Sequence, residues 1–199
     1  MLVGELAELA VVGGHPALDL ANTVAPRPPG PVELEFLPDA AHVLEWARRV
    51  GVVDGAEAGR IERAWSRSPG STDAALADVL ALRALIDPVL AGQRLDTLTR
   101  RWATAISRSE LVPAGQGAAT LVIGTEPTLM IPDRLADAVV DLLRTVDLSR
   151  LRTCPLPEGG CGWLFLDRSR NGSRKWCSMD DCGTQAKSRR LTARRRAKR

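Results

Sequence analysis

All four cysteines of the 199-residue chain lie between residues 154 and 182. They form two pairs, Cys154 with Cys161 and Cys177 with Cys182, and fifteen residues separate the pairs. Zinc takes four soft or borderline ligands in a tetrahedron, and two thiolate pairs close in sequence supply them at low cost in chain entropy. The spacing therefore predicts one structural zinc ion held by all four cysteines.

Two disulfides, or four unrelated buried thiols, are the alternative interpretations of this segment. Residues 1–14 contain glutamates and no lysine or arginine, unlike the charged start of a secretory signal, so we expect a cytoplasmic protein. Reducing compartments disfavour disulfides, and a segment of roughly thirty residues buries too little surface to fold without a cross-link. Four thiolates would also fill the position that a catalytic zinc usually keeps open. A structural zinc is the expected cofactor.

The residues around the cysteines predict the local fold. Asn171-Gly172 is the strongest two-residue turn signal and has apolar residues on both sides, so we expect a β-hairpin around it. The residues after Cys182 are compatible with a helix, for which Thr184 is a candidate N-cap. A knuckle, a hairpin and a helix with the last ligand make a treble-clef-like finger. Its small core would come from three aromatic residues: Trp163, Phe165 and Trp176.

Residues 1–150 predict a mostly helical domain with a small β-sheet. Amphipathic patterns predict helices after Asp39 and Asp54, over "RLDTLTRRWATAIS" and over "PDRLADAVVDLLRTV". A further helix should begin after Ser71 or Thr72 and direct three leucines inward: Leu76, Leu80 and Leu85. Short apolar runs in "LVPAGQGAATLVIGTEPTLMI" predict two or three strands. The expected class is α+β, with domains over residues 1–150 and 151–199.

The net charge of +3 is unevenly distributed along the chain. Residues 168–199 contain twelve basic and two acidic residues, so this end carries +10 and the remainder −7. Such clustering is the electrostatic footprint of a nucleic-acid contact, although anionic membranes also attract basic tails. No apolar run approaches the roughly 20 residues that span a bilayer, so we expect no membrane insertion. Predicted phosphate contacts are Arg168, Arg170, Arg174, Lys175, Lys187, Arg189, Arg190, Arg194, Arg195 and Arg196.

The N-terminal region offers no constellation for catalysis. Its two histidines lie far from any cysteine in sequence, and it contains no phosphate-binding glycine loop, nucleophile elbow or His-Glu metal motif, so we expect no enzyme. If their segment is helical, His15, Asp19 and Asn22 form a polar row that would line a pocket for a small ligand. The more ordinary interpretation is that the His-Pro pair closes a turn and the aspartate caps a helix.

A resemblance to CGNR zinc-finger proteins lies in "CGWLFLDRSRNGSRKWCSMDDCG" and the following "AKSRR". The N-terminal "HPALDLANTV" is similar to the start of the ABATE-type domain that usually precedes this finger. The resemblance implies a bacterial transcription regulator whose four cysteines bind zinc and whose finger binds DNA. The chain departs from the naming motif, because Thr184 and Gln185 stand where asparagine and arginine are expected. The first cysteine pair also encloses six residues instead of about four.

The leading hypothesis is a two-part regulator, in which the N-terminal domain dimerises or senses a small-molecule effector and the zinc module binds DNA. Three alternatives remain at this point. The basic end would bind RNA, the zinc segment would complete a protein-interaction or oligomerisation module, or the chain would act as a small-molecule sensor through its N-terminal domain.

Overall fold

The structure, a computed structural model, describes the backbone of residues 1–29 and 31–196, and their side chains except at residues 69, 190 and 193–196. The described helices are α1 (Pro16–Ala21), α2 (Ala40–Arg49), α3 (Gly55–Arg67), α4 (Pro69–Leu90), α5 (Leu95–Ser107), α6 (Met130–Thr145) and α7 (Thr184–Arg196). The described strands are β1 (Leu2–Val3), β2 (Val24–Ala25), β3 (Leu34–Glu35), β4 (Glu110–Gly115), β5 (Ala118–Val122), β6 (Leu151–Thr153) and β7 (Leu164–Leu166). The mostly helical α+β prediction is confirmed.

Contacts divide the described chain into two compact units. One consists of residues 37–146, and the other combines residues 1–36 with residues 147–196. The domain boundary expected near residue 150 stays a prediction, because compactness alone does not define a domain. Within the part of the chain described, no helix combines the length and apolarity that a membrane crossing requires.

Residues 37–146 form a helical unit, and local signals set the starts of its helices. The side chain of Asp39 accepts a hydrogen bond from the backbone N–H of His42, 2.9 Å away, and caps α2 as predicted. Asp54 and Glu57 exchange side-chain and backbone hydrogen bonds in a capping box at the start of α3. The predicted strand region forms the antiparallel pair β4–β5. These elements follow from short stretches of sequence.

Helix α4 buries a different face from the one predicted. Leu85 is buried as expected, but Leu76 and Leu80 are only half-buried. The buried stripe consists of Ala75, Val79, Leu82, Leu85, Ile86 and Val89. The helix has apolar residues on more than one face, so its own pattern does not select the inward side. The neighbouring helices select it, since α4 packs against α2, α3 and α6.

A partly buried ion pair joins two helices of the helical unit. The guanidinium of Arg134 donates to both carboxylate oxygens of Glu57, at 2.7 and 2.6 Å, and also to the carbonyl of Val52. The hydrogen bonds from Arg134 lower the pKa of Glu57 to about 2. Helices α3 and α6 are therefore joined by a charged contact in addition to apolar packing.

The second unit is built from very short strands. Strand β3 pairs in parallel with β1 and antiparallel with β2, and β6 pairs antiparallel with β7. Helix α1 packs against β7. None of these strands exceeds three residues, so backbone ladders contribute few of the hydrogen bonds that this unit needs.

Candidate metal centre and the segments that hold it

The four cysteine sulfurs converge at one point of the second unit. All four Sγ atoms lie within 4.8 Å of one another, with Cys161 3.4 Å and Cys182 3.6 Å from Cys177. A zinc ion with bonds of about 2.3 Å separates the sulfurs of a tetrahedron by about 3.8 Å. All four cysteines are free thiols. The donor set and its spacing fit one structural zinc ion, as the sequence predicts.

The first cysteine pair occupies a knuckle between β6 and β7. The backbone N–H of Cys154 donates to the carbonyl of Trp163 at 2.8 Å, and the N–H of Gly162 returns to the carbonyl of Cys154 at 3.1 Å. A Cβ at Gly160 would lie 2.6 Å from the sulfur of Cys154. Gly162, with φ +77°, adopts a conformation that side chains rarely accept. Two glycines thus allow the knuckle to fold around sulfur.

The second pair is held by a loop and a helix start. Cys182 lies in a π-helical turn over Met179–Gly183, which leads directly into α7. Arg174 holds the backbone at Cys177 in place. Its guanidinium lies 4.7 Å from the ring centre of Phe165 and donates to the carbonyls of Trp176 and Cys177. Knuckle, strand pair and helix start together supply the four ligands.

The expected hairpin around Asn171-Gly172 does not form. Strand β7 instead pairs with β6 on one side, while on its other side the N–H of Leu166 donates to the carbonyl of Gly13. Both edges of β7 are therefore in use. The loop folds around Asp167, whose carboxylate accepts hydrogen bonds from the backbone N–H groups of Ser169 and Arg174, both at 2.8 Å. Asn171 lies in a turn, as predicted, but the residues on either side of the turn do not pair as strands.

The N-terminal segment completes the finger. The side chain of Asn22 donates to the carbonyl of Leu164 and accepts from its N–H, both at 2.8 Å, although 142 residues separate the two. The indole N–H of Trp163 donates to the carbonyl of Val24 at 2.8 Å. The N–H of Arg27 donates to the carbonyl of the ligand Cys161 at 2.9 Å. This role of Asn22 has no local sequence signal.

The polar row of His15, Asp19 and Asn22 makes hydrogen bonds with the backbone. The ring Nδ1 of His15 accepts a hydrogen bond from the N–H of Ala17 and caps α1. Asp19 accepts from the N–H of Gly13 at 2.8 Å, and burial raises the pKa of its carboxyl. The expectation that the aspartate caps a helix is therefore corrected, because His15 is the cap and Asp19 lies within α1. The ligand pocket stays a prediction.

Mutual hydrogen bonding sets the acidity of the thiols. Hydrogen bonds from Cys161, Cys177 and Cys182 lower the pKa of Cys154. Hydrogen bonding with Cys154 raises the pKa of Cys161, because a thiol that donates to a neighbouring thiolate keeps its proton. A bound divalent cation would stabilise the thiolate form of all four cysteines.

The predicted phosphate contacts divide into several groups. Arg168, Arg170, Lys187 and Arg189 are exposed. Lys175 is paired with Glu158 at 2.6 Å, and Arg174 is engaged as described above. Four predicted contacts have side chains outside those that the structure describes: Arg190, Arg194, Arg195 and Arg196. Two further basic residues lie directly before Cys154 in sequence: Arg150 is exposed and Arg152 is half-buried.

Comparison with known families now identifies both parts of the chain. Residues 14–146 match the ABATE family model, described as "Putative stress-induced transcription regulator". The chain belongs to the ABATE family. Residues 150–195 match the CGNR zinc finger, so the order of the two parts also agrees with the resemblance. No curated protein matches the chain.

The ABATE match and the compact units divide the chain differently. The match begins at residue 14, within the segment that packs on the finger, and ends at residue 146, the last residue of the helical unit. Asn22 and Val24 thus belong to the ABATE match, yet their contacts lie in the unit that holds the four cysteines. In this ABATE protein, residues of the ABATE match therefore form part of the unit that contains the zinc finger.

Proposed function

We propose that this ABATE protein is a zinc-dependent DNA-binding transcription regulator. Cys154, Cys161, Cys177 and Cys182 are the proposed ligands of one structural zinc ion. The observation that carries the proposal is the convergence of their sulfurs within 4.8 Å, inside a CGNR zinc-finger match that continues into a basic helix. Both matched families are of regulator and zinc-finger type and not of enzyme type.

When bound, zinc supplies a four-point cross-link. The knuckle contributes two thiolates, the end of the Asp167–Cys177 loop one, and the turn before α7 the last. A bound ion would thereby fix the direction in which α7 leaves the finger. The small aromatic core, Trp163, Phe165 and Trp176, is buried as predicted and supports that arrangement. Zinc would therefore set the fold of the finger, and the basic side chains would supply the positive charge.

The basic residues would then dock on phosphates. Exposed cations on α7 include Lys187 and Arg189, and the guanidinium of Arg189 lies so close to Gly159 that a Cβ there would be 2.3 Å from it. This contact between α7 and the knuckle places Arg189 beside the loop that connects Cys154 and Cys161. If about six cations neutralise phosphates, log K falls with log salt concentration at a slope near −5.

Zinc-loaded full-length protein should bind duplex DNA at low salt in a mobility-shift or fluorescence-anisotropy titration. Binding should weaken with added salt at the slope given above, and chelation of zinc should abolish it. The matched control is Cys177→Ser, which removes one ligand and leaves every basic residue in place. Absence of binding to random duplex DNA at low salt contradicts the proposal, and preference for RNA over duplex DNA would favour the RNA alternative.

Three companion statements stay predictions. These are homodimerisation through the N-terminal domain, a small-molecule effector and a cytoplasmic location. Sedimentation of the zinc-loaded protein tests the first directly.

A further inference from the structure

We propose that DNA is contacted by an arginine collar, consisting of Arg150, Arg152, Arg168 and Arg170, in addition to the basic helix. Arg150 and Arg152 precede the first cysteine pair, and Arg168 and Arg170 lie within the loop 167–174. This inference rests on the proposed function and assigns part of its phosphate-binding surface to residues outside α7, two of them on or next to strand β6.

Arg150 ends the 3-10 turn directly before β6, and Arg152 lies within β6. Arg150 Nη1 donates to the carbonyls of Ser169, at 3.1 Å, and Asp167, at 3.4 Å, so this guanidinium lies against the loop. Arg152 donates to the carbonyls of Ser149 and Leu151 at 2.7 and 2.9 Å. Both guanidinium groups are anchored in place.

Arg168 and Arg170 extend the collar to the other edge of β7 and to the turn. Arg168 Nη2 donates to the carbonyl of Gly14 at 2.7 Å, on the side of β7 opposite β6. Arg170 is exposed at the turn itself. Cations therefore lie on two sides of the loop and near its tip.

The type of partner distinguishes Arg150, Arg152 and Arg168 from Lys175. A carbonyl oxygen orients a guanidinium without neutralising it, and each guanidinium has five N–H donors, most of which stay available. Lys175, by contrast, has its charge compensated by Glu158. Because these three guanidinium groups are held in place before binding, less side-chain entropy is lost when they meet a phosphate.

The loop 167–174 can approach a polyanion closely. Beside the exposed Arg170, its tip carries short side chains from Ser169, Asn171 and Ser173, and none at Gly172, where φ is +61°. Arg150 Nη1 lies 3.6 Å from the position that a Cβ on Gly172 would take. A phosphate at this tip would therefore meet guanidinium donors.

Two carboxylates interact electrostatically with the collar. Asp147 interacts with Arg150, and Asp167 with Arg152. Asp167 is fully buried and already accepts hydrogen bonds from the loop backbone. Four cations against two anions leave an excess of positive charge, and the anion at the centre of the loop faces inward. The surface suits the phosphate backbone of DNA.

The test is the salt dependence of DNA binding by the zinc-loaded full-length variant Arg150→Gln/Arg152→Gln. Loss of two phosphate contacts should reduce the magnitude of the log K against log salt slope by about 2 and weaken binding roughly tenfold or more at 0.1 M salt. The matched control is Arg67→Gln/Arg144→Gln, which removes the same charge from exposed positions in residues 37–146 and should leave the slope unchanged.

A second variant separates charge from loop structure. Arg150→Lys/Arg152→Lys keeps both charges but loses the fork geometry, so the slope should stay near that of the wild type. Zinc content and circular dichroism are measured on every variant. If the wild type binds DNA and the glutamine pair binds with an unchanged slope, the collar is overturned while the proposed function stands. If the wild type does not bind duplex DNA, both are overturned.

Discussion

Residues 37–146 and the unit formed by residues 1–36 with 147–196 satisfy their buried groups by different means. In the helical unit, most residues lie in helices or in the β4–β5 hairpin, which pair their own backbone groups, and the core consists of many buried side chains such as Ile61, Leu82 and Leu135. In the finger unit the strands are two or three residues long. Individual side chains, notably Asn22 and Asp167, supply the missing hydrogen bonds.

This difference predicts how the stability of each unit should respond to a truncated side chain or to loss of the metal. A core of many apolar contacts loses only part of its stability when one side chain is shortened. A unit that relies on a metal and on single hydrogen-bonding side chains depends strongly on each of them, because an unsatisfied buried group costs its full desolvation energy.

Zinc removal should produce the largest effect and confine it to one unit. Structural zinc sites contribute an apparent binding free energy of about 10–16 kcal/mol, so chelation should unfold most of the finger unit. Hydrogen exchange followed by mass spectrometry should then show lost protection over residues 1–36 and 147–196 and retained protection over 37–146. Equal protection with and without zinc in both units would refute the comparison.

Leu135→Ala should weaken the helical unit without affecting the metal. The side chain is fully buried in α6, so its truncation should lower the free energy of unfolding by about 2–5 kcal/mol. Urea denaturation measures the loss, and metal analysis should still find one zinc per chain. Leu95→Ala, at a position 45% exposed on α5, is the control and should cost much less.

Asn22→Ala should weaken the finger unit although the residue is remote from the cysteines in sequence. The change leaves the N–H and carbonyl of buried Leu164 without their partner, which should cost about 2–4 kcal/mol. Competition with a chromophoric chelator should show easier zinc loss. Asn171→Ala, at an exposed turn position, is the control. Equal zinc retention by both variants would mean that the N-terminal segment does not support the metal site.

A smaller effect is expected from pH on the helical unit. Because the folded pKa of Glu57 is about 2, below its ordinary value of 4.5, its stabilising contribution is present above pH 4.5 and is lost as pH falls toward 2. Glu57→Gln should therefore cost roughly 2 kcal/mol at pH 7 and less at pH 3. Urea unfolding at pH 7 and at pH 3, followed by hydrogen exchange within residues 37–146, measures the loss in free energy of unfolding. Glu62→Gln, on the exposed side of α3, is the control, and its cost should not differ between the two pH values.

Sequence reasoning succeeded where the cause lies within a few residues. The helices predicted after Asp39 and Asp54 begin directly after those residues, and the four cysteines converge as their spacing predicts. It failed for the partner of β7, because the Asn171-Gly172 turn says nothing about which edges of that strand are already occupied. The inward face of α4 was wrong in part for a similar reason, since the neighbouring helices select the buried stripe.

The sequence by itself determined the chemistry of this protein: a four-thiol site, a basic end and helices with their caps. These properties depend on residue type and on short spacings, which the chain carries wherever it folds. Only the tertiary structure decided that Asn22 and Gly13 flank the strand of the finger, and that Arg150 lies beside its loop. Contacts between residues more than a hundred positions apart are set by packing, and packing leaves no periodic trace in the sequence.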